Sequence, residues 1–100
     1  MILTVDIGNS NIVLGGVQDN DIVFEARLRT DATKTSDEYC IDLKMILDVY
    51  EVKSSEIEGT IIASVVPQVL NSMQTAVRKL TGKKALVVGP GLKTGYLSGQ

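Results

Sequence analysis

The chain has 100 residues, with 10 basic and 12 acidic side chains, no histidine and a net charge of -2. That length bounds it to a single domain at most, and that balance excludes a nucleic-acid protein held by bulk phosphate neutralisation. A small anionic ligand is not excluded, because it needs only a few local groups. With 44% hydrophobic and 22% charged residues the composition is that of a globular chain rather than a disordered one. The lack of histidine removes histidine-based triads, His/Cys zinc sites and histidine general bases, so any metal is a hard cation held by oxygen. No apolar run nears the ~20 residues of a membrane span, and no signal-peptide pattern opens the chain. One cysteine, Cys40, cannot close an internal disulfide. The expected setting is therefore cytoplasmic, with no membrane and no nucleic acid as partners.

Ile2 to Ile7 is a short, nearly continuous apolar run, which predicts a strand buried on both faces in the middle of a sheet. Gly8-Asn9-Ser10 is turn chemistry, and Asn11 to Val17 is a second run rich in Ile, Val and Leu. Asp19-Asn20-Asp21 is the next turn. Beyond it Ile22, Phe24, Ala26 and Leu28 alternate with Val23, Glu25, Arg27 and Arg29, the period of a strand with one wet side. Three strands in antiparallel meander are expected. The rhythm then changes. Thr35-Ser36-Asp37-Glu38 matches a capping box, and Tyr39, Leu43, Ile46, Leu47 and Tyr50 follow at helical spacing, predicting a helix from about Ser36 to Tyr50. Thr60 to Val65 is a β-branched strand. Pro67 suits the first turn of a second helix whose apolar stripe is Val69, Leu70, Met73, Ala76, Val77 and Leu80, with Arg78, Lys79 and Gly82 at its end. Ala85 to Val88 is a last short strand. The order βββαβαβ predicts an α/β fold, a mixed five-stranded sheet with helices on its faces.

One segment, Asp6-Ile7-Gly8-Asn9-Ser10-Asn11, carries more polar chemistry than a strand end needs. A buried, unpaired Asp6 carboxylate is costly; at a strand end facing a cleft, beside a cation, it is not. Gly8 lets backbone approach a ligand with no Cβ in the way, and Asn9, Ser10 and Asn11 offer amides, a hydroxyl and main-chain N–H groups to phosphate oxygens. Asp6 itself repels a polyphosphate. At about 4 Å and an effective dielectric of about 20, one like-charge pair costs about 4 kcal/mol, so this reading requires a divalent cation between them, most simply Mg²⁺. No G-K-[ST] follows, so the turn is not a Walker A loop. The same residues also suit a plain hairpin turn, and the local pattern leaves both readings open.

Four segments in register resemble the type III pantothenate kinase family over nearly the whole chain. Asp6 to Asn11 resembles its phosphate motif, and Ser36-Asp37-Glu38-Tyr39 its T-D-E-Y helix start. Ala63-Ser64-Val65-Val66-Pro67 resembles its S-V-V-P junction, and Gly89-Pro90-Gly91-Leu92-Lys93-Thr94-Gly95 its G-P-G-x-K-T-G loop. The resemblance implies a ribonuclease-H-like, actin-like ATPase fold. Residues 1–100 would be the N-terminal domain of a two-domain kinase, and the protein a homodimer. It implies transfer of the ATP γ-phosphate to the hydroxyl of pantothenate, the first step of coenzyme A biosynthesis, with Mg²⁺ and a monovalent cation (K⁺ or NH4⁺). The ATP-binding turn then comprises Asp6, Ile7, Gly8, Asn9, Ser10, Asn11, Ile12 and Val13, with Asp6 on the metal side.

There are departures. The family's catalytic aspartate lies in a G-A-D-R motif beyond the glycine-proline loop, and no such motif stands in these 100 residues. The arginine that binds pantothenate, the K⁺ ligand and the second domain are not in the sequence either. Tyr96 stands where the family usually has Leu, and Cys40 where it usually has Gly. The expectation is of an N-terminal piece, or a shortened relative, of a larger enzyme, ending before the last helix of its domain. Alone it is expected to be inactive as a kinase and, with one sheet face uncovered, to self-associate. Two alternatives stand beside the kinase: a regulatory or assembly module of the same fold that senses a ligand without turnover, and another actin-like ATPase such as a sugar kinase or a glycoprotease-like protein. Cys40 is read as a small apolar helix residue, Asp37 and Glu38 as helix N-terminal charges, and Tyr39 and Tyr50 as core-edge aromatics. Arg27, Arg29 and Lys34 are read as a solvated face. Lys93 and Thr94 fit either a ligand pocket or a plain surface loop.

Overall fold

A computed structural model describes residues 1–89. Its elements are β1 (Ile2–Ile7), β2 (Asn11–Gln18), β3 (Asp21–Arg29), α1 (Ser36–Val49), a 3-10 turn (Ser54–Glu56), β4 (Gly59–Ser64), α2 (Pro67–Thr81) and β5 (Leu86–Val88). The strands form one mixed sheet in the order β3-β2-β1-β4-β5. The three opening strands are the expected antiparallel meander, and β4 and β5 add in parallel. Apart from the 3-10 turn, every element was expected from sequence. That turn is too short for a periodic signal; it is closed by the Lys53 N–H donating to the Glu56 carboxylate at 2.9 Å.

The strand order explains where the helices lie. β3, β1, β4 and β5 run the same way, so β3-α1-β4 and β4-α2-β5 are both crossovers between parallel strands, moving in the same direction along the sheet. Right-handed crossovers taken in one direction put both helices on one face. Accordingly Tyr39, Leu43 and Leu47 of α1 and Val69, Met73, Ala76 and Val77 of α2 share a single core with Leu3, Val5, Ile7, Ile12, Leu14, Phe24 and Ile62. Asp37 and Lys79, 2.6 Å apart, add an exposed ion pair between the two helices.

β1 is central, as expected, but it is fully buried on one face only. Leu3, Val5 and Ile7 lie under the helices, while Ile2, Thr4 and Asp6 on the other face are half-buried. The difference follows from both helices sharing one side: no helix covers the second face among the described residues. On β3 the expected alternation holds from Phe24 onward, but Ile22 is 64% exposed because it precedes the helix-covered part of the strand. There Phe24 stacks on Tyr50, with ring centroids 5.0 Å apart, and the Tyr50 hydroxyl donates to the Glu25 carbonyl. A β-bulge at Gly16/Val17 fits this cluster. A Cβ on Gly16 would stand 2.3 Å from the Phe24 ring, so glycine there makes room for the aromatic.

Candidate functional site

The parallel register Ile7↔Ser64 and the antiparallel pairs Ile7↔Ile12 and Asn11↔Arg29 bring three strand ends together. The β1–β2 turn, the exit of β3 and the β4–α2 junction therefore share one edge of the sheet. This is the carboxyl edge of the parallel strands, where open α/β sheets bind ligands. The pairing Ala63↔Val88 brings Gly89 to the same edge. The rest of the expected glycine-proline loop, including Lys93 and Thr94, lies outside the described residues.

The turn is closed by the Gly8 N–H donating to the Asn11 carbonyl at 2.9 Å. Residues 8 to 11 all keep negative φ. Gly8 is thus not needed for a left-handed conformation. It spares a tight contact instead, because a Cβ there would stand 3.2 Å from the Asn11 carbonyl. Asn9, Ser10 and Asn11 are exposed. The N–H groups of Asn9 and Ser10 make no hydrogen bond among the described residues, and both residues are exposed, so two adjacent main-chain donors are available for a ligand there. Two carbonyls of the turn are held from the other side. Thr30 donates its hydroxyl to the Gly8 carbonyl at 2.8 Å and its N–H to the Ser10 carbonyl at 3.0 Å. Of the expected site residues, Ile7 and Ile12 are fully buried and anchor the strand ends beneath the turn. Val13 is half-buried beside Asp6, its register partner.

Asp6 sits one residue before the strand end, on the face away from the helices, half-buried and flanked by Val13 and Ala63. It belongs to none of the ion pairs among the described residues. No group of three metal-ligating side chains occurs among those residues. A lone carboxylate at such an edge fits a hard cation whose remaining ligands are phosphate oxygens and water, and does not fit an all-protein metal cage.

The two other resembling segments now have physical explanations. Thr35 and Glu38 form the capping box, with the Glu38 N–H donating to the Thr35 hydroxyl at 3.1 Å and the Thr35 N–H to the Glu38 carboxylate at 2.8 Å. Asp37 and Glu38 are thus helix-terminal charges, as read from sequence. Tyr39 differs from expectation: it is fully buried rather than at the core edge. Its hydroxyl accepts from the Asp31 N–H at 3.0 Å and donates to the Asp31 carbonyl at 2.8 Å. At the β4–α2 junction Ser64 bonds both backbone groups of Val66, Val65 N–H donates to the Ile7 carbonyl at 3.1 Å, and Pro67 opens α2. Arg27 and Arg29 are exposed as expected. Lys34 is not merely solvated: it pairs with Asp42 at 2.6 Å and lies 5.6 Å from the Tyr39 ring centroid. Asp42 raises the Lys34 ammonium above its ordinary value. The Thr33 hydroxyl and N–H lower the Asp31 carboxyl below its own. Cys40 is half-buried against the core. Two open grooves of about 490 and 520 Å³, one between α2 and the start of β5 and one near the C-terminal end of α1, include no residue of the turn. No helix of the described residues is long and apolar enough to cross a membrane.

The sequence profile of type III pantothenate kinase matches residues 2–98. Type III pantothenate kinase of Finegoldia magna is 43% identical over 98 residues, and that of Exiguobacterium sp. 42% identical over 95 residues. These alignments cover 98% and 95% of this chain, and the chain spans 37% of the length of each relative. Among solved structures, the Aquifex aeolicus PPX-GPPA enzyme superposes with a TM-score of 0.51 at 18% identity, over 95% of this chain and 38% of that one. The likeness is one of fold, and it agrees with the ribonuclease-H-like, actin-like ATPase architecture. By the extent and register of the sequence match, this chain belongs to the type III pantothenate kinase family.

Proposed function

We propose that residues 1–100 are the N-terminal ribonuclease-H-like domain of a two-domain kinase. The intact protein transfers the γ-phosphoryl group of ATP to the hydroxyl of pantothenate, giving 4′-phosphopantothenate, in the first step of coenzyme A biosynthesis. The observation that carries this is the pair of adjacent N–H groups at Asn9 and Ser10, without a hydrogen bond among the described residues and on the carboxyl edge of the sheet, in a chain of this family. Phosphoryl transfer is mostly positioning and electrostatic stabilisation, and a hydrogen-bonded turn with two adjacent main-chain donors suits both. In this reading the Asn9 and Ser10 amides, with the side chains of Asn9, Ser10 and Asn11, hold phosphate oxygens. Gly8 keeps the approach open, and Ile7, Ile12 and Val13 fix the turn on the sheet. Asp6 is the residue that would hold Mg²⁺. When bound, the metal neutralises charge on the phosphates that Asp6 would otherwise repel. The residues that contact pantothenate, remove its hydroxyl proton and bind K⁺ or NH4⁺ are assigned to parts of the intact protein outside these 100 residues, the proton acceptor being the aspartate of a G-A-D-R motif beyond the glycine-proline loop, and the protein is a cytoplasmic homodimer.

The test is a coupled assay of the intact protein for pantothenate-dependent ADP release. Turnover that requires ATP, Mg²⁺ and pantothenate supports the kinase. Nucleotide binding without pantothenate-dependent turnover overturns it in favour of a ligand-sensing module of the same fold.

A further inference from the structure

The segment between β3 and α1 has no part in the function proposed so far, yet it makes the closest polar contacts to the turn. Thr30 reaches across the sheet edge. Its N–H continues the β2–β3 ladder to the Ser10 carbonyl, but its hydroxyl passes β2 and donates to the Gly8 carbonyl at the end of β1, 22 residues away in sequence. A single residue thus engages two of the turn's carbonyls. A carbonyl swung outward would present negative dipole to a phosphate, where the N–H groups of Asn9 and Ser10 present positive. Thr30 is itself fixed from behind. Asp31, the next residue, has both main-chain groups bonded to the Tyr39 hydroxyl, at 3.0 and 2.8 Å, and Tyr39 is wholly buried in the core. A buried phenol with both hydrogen-bonding functions on one peptide segment is a specific, geometrically demanding anchor. Lys34, over the Tyr39 ring and paired with Asp42, closes the same loop onto α1.

We propose that Thr30 is a positioning residue for phosphate binding. It keeps the Gly8 and Ser10 carbonyls turned inward so that the Asn9 and Ser10 amides stay outward, and Tyr39, through Asp31, sets the place of Thr30. The inference rests on the reading of the β1–β2 turn as the nucleotide phosphate site. It extends that site to two side chains that never touch the ligand. It also gives the tyrosine of the helix-start motif a task beyond packing.

The experiment is a set of variants of the intact protein, with nucleotide affinity measured by calorimetry against an unhydrolysed ATP analogue with Mg²⁺, alongside steady-state kinetics. Thr30→Val keeps the shape and the N–H and removes the hydroxyl. It is expected to weaken nucleotide binding about tenfold, equivalent to about 1.4 kcal/mol, and to raise KM for ATP with KM for pantothenate unchanged. Thr30→Ser, which restores the hydroxyl, is expected to recover affinity to within about twofold of the parent. Tyr39→Phe removes both bonds to Asp31 without altering the Thr30 side chain itself, and is expected to weaken nucleotide binding about threefold. Should Thr30→Val fail to fold, Thr30→Ser and Tyr39→Phe still decide. Parent-like affinity in Tyr39→Phe, or no recovery in Thr30→Ser, overturns the proposal, as does parent-like affinity in a folded Thr30→Val. If the parent binds no nucleotide, the phosphate reading of the turn falls and the proposal falls with it. If the parent binds and the variants bind equally well, only the positioning role is lost.

Discussion

Two turns close the same antiparallel meander, at either end of the eight-residue β2, and they solve the same geometric problem differently. Between β2 and β3, Asp19 and Asn20 both adopt left-handed φ, 52° and 68°, between the paired residues Gln18 and Asp21. That is the two-residue hairpin turn whose twist matches the strands, and Asp and Asn are among the residues that tolerate it. Between β1 and β2 there is no left-handed residue from Gly8 to Asn11, one hydrogen bond closes the loop, and two successive N–H groups have no partner among the described residues. The shape of this second turn is imposed from outside, by Thr30 on two of its carbonyls. The N–H groups of Asp19 and Asn20 also make no hydrogen bond among the described residues, so free donors alone do not set the two turns apart. What differs is the hold of a neighbouring strand on the β1–β2 turn and its place at the carboxyl edge of the parallel strands. That contrast comes from the three-strand register, which the sequence pattern of either turn alone does not give.

Changes at the two turns should therefore have different signatures. The largest effect is expected from Asp6→Asn, which removes the carboxylate proposed to hold the metal. In the intact protein kcat should fall about 100-fold or more, while thermal stability stays within about 1 kcal/mol of the parent, because Asp6 has no ion-pair partner among the described residues. Turnover unchanged by this substitution would remove the carboxylate from the chemistry. Next is Gly8→Ala. Its Cβ would press on the Asn11 carbonyl from 3.2 Å. A stability loss of about 1 kcal/mol is expected in urea titration, together with about tenfold weaker nucleotide binding by calorimetry. Loss of stability with full affinity would show that the turn matters to the fold alone. At the other turn, Asn20→Gly relieves a left-handed asparagine. It is expected to raise stability by about 0.5 kcal/mol and to leave nucleotide affinity and turnover at the parent level, since nothing ties this turn to the carboxyl edge.

The smallest expected effect is one of pH. The Thr33 hydroxyl and N–H hold the Asp31 carboxyl below its ordinary value of 3.8, and Asp31 is the residue on which Tyr39 anchors the Thr30 segment. A group lowered by folding contributes its stability above the ordinary value and loses it as pH falls through the lowered one. Compared with Asp31→Asn, the parent should be slightly more stable at about pH 6, and that difference should shrink as pH falls below 3.8 and through the lowered value, read as urea midpoints. A difference that stays constant across that range would mean the carboxylate charge contributes nothing to holding the segment. The carboxylate is exposed, so its effect is screened and small.

Much of this molecule is written locally. The bounds of β1, the start of α1 at its capping box and the start of α2 at Pro67 are visible in sequence because alternation, caps and proline act over three or four residues. The single-sided cover of β1 was not visible, because it depends on the direction in which two crossovers travel along the sheet. The candidate site divides in the same way. Asp6, Gly8, Asn9 and Ser10 stand out as polar and small residues ending an apolar strand. Thr30 does not stand out, since a threonine closing an alternating strand is ordinary, and only the three-strand register brings its hydroxyl to Gly8. Tyr39 sits at a helical core position, so periodicity predicts its packing but is silent on the two hydrogen bonds of its hydroxyl.

The most direct test of phosphate binding at the β1–β2 turn is a crystal structure of the intact protein with an unhydrolysed ATP analogue and Mg²⁺. Phosphate oxygens within about 2.7–3.2 Å of the Asn9 and Ser10 main-chain nitrogens, with the metal on the Asp6 side, are the predicted result. A nucleotide bound elsewhere on the protein, with both amides still facing solvent, would contradict it.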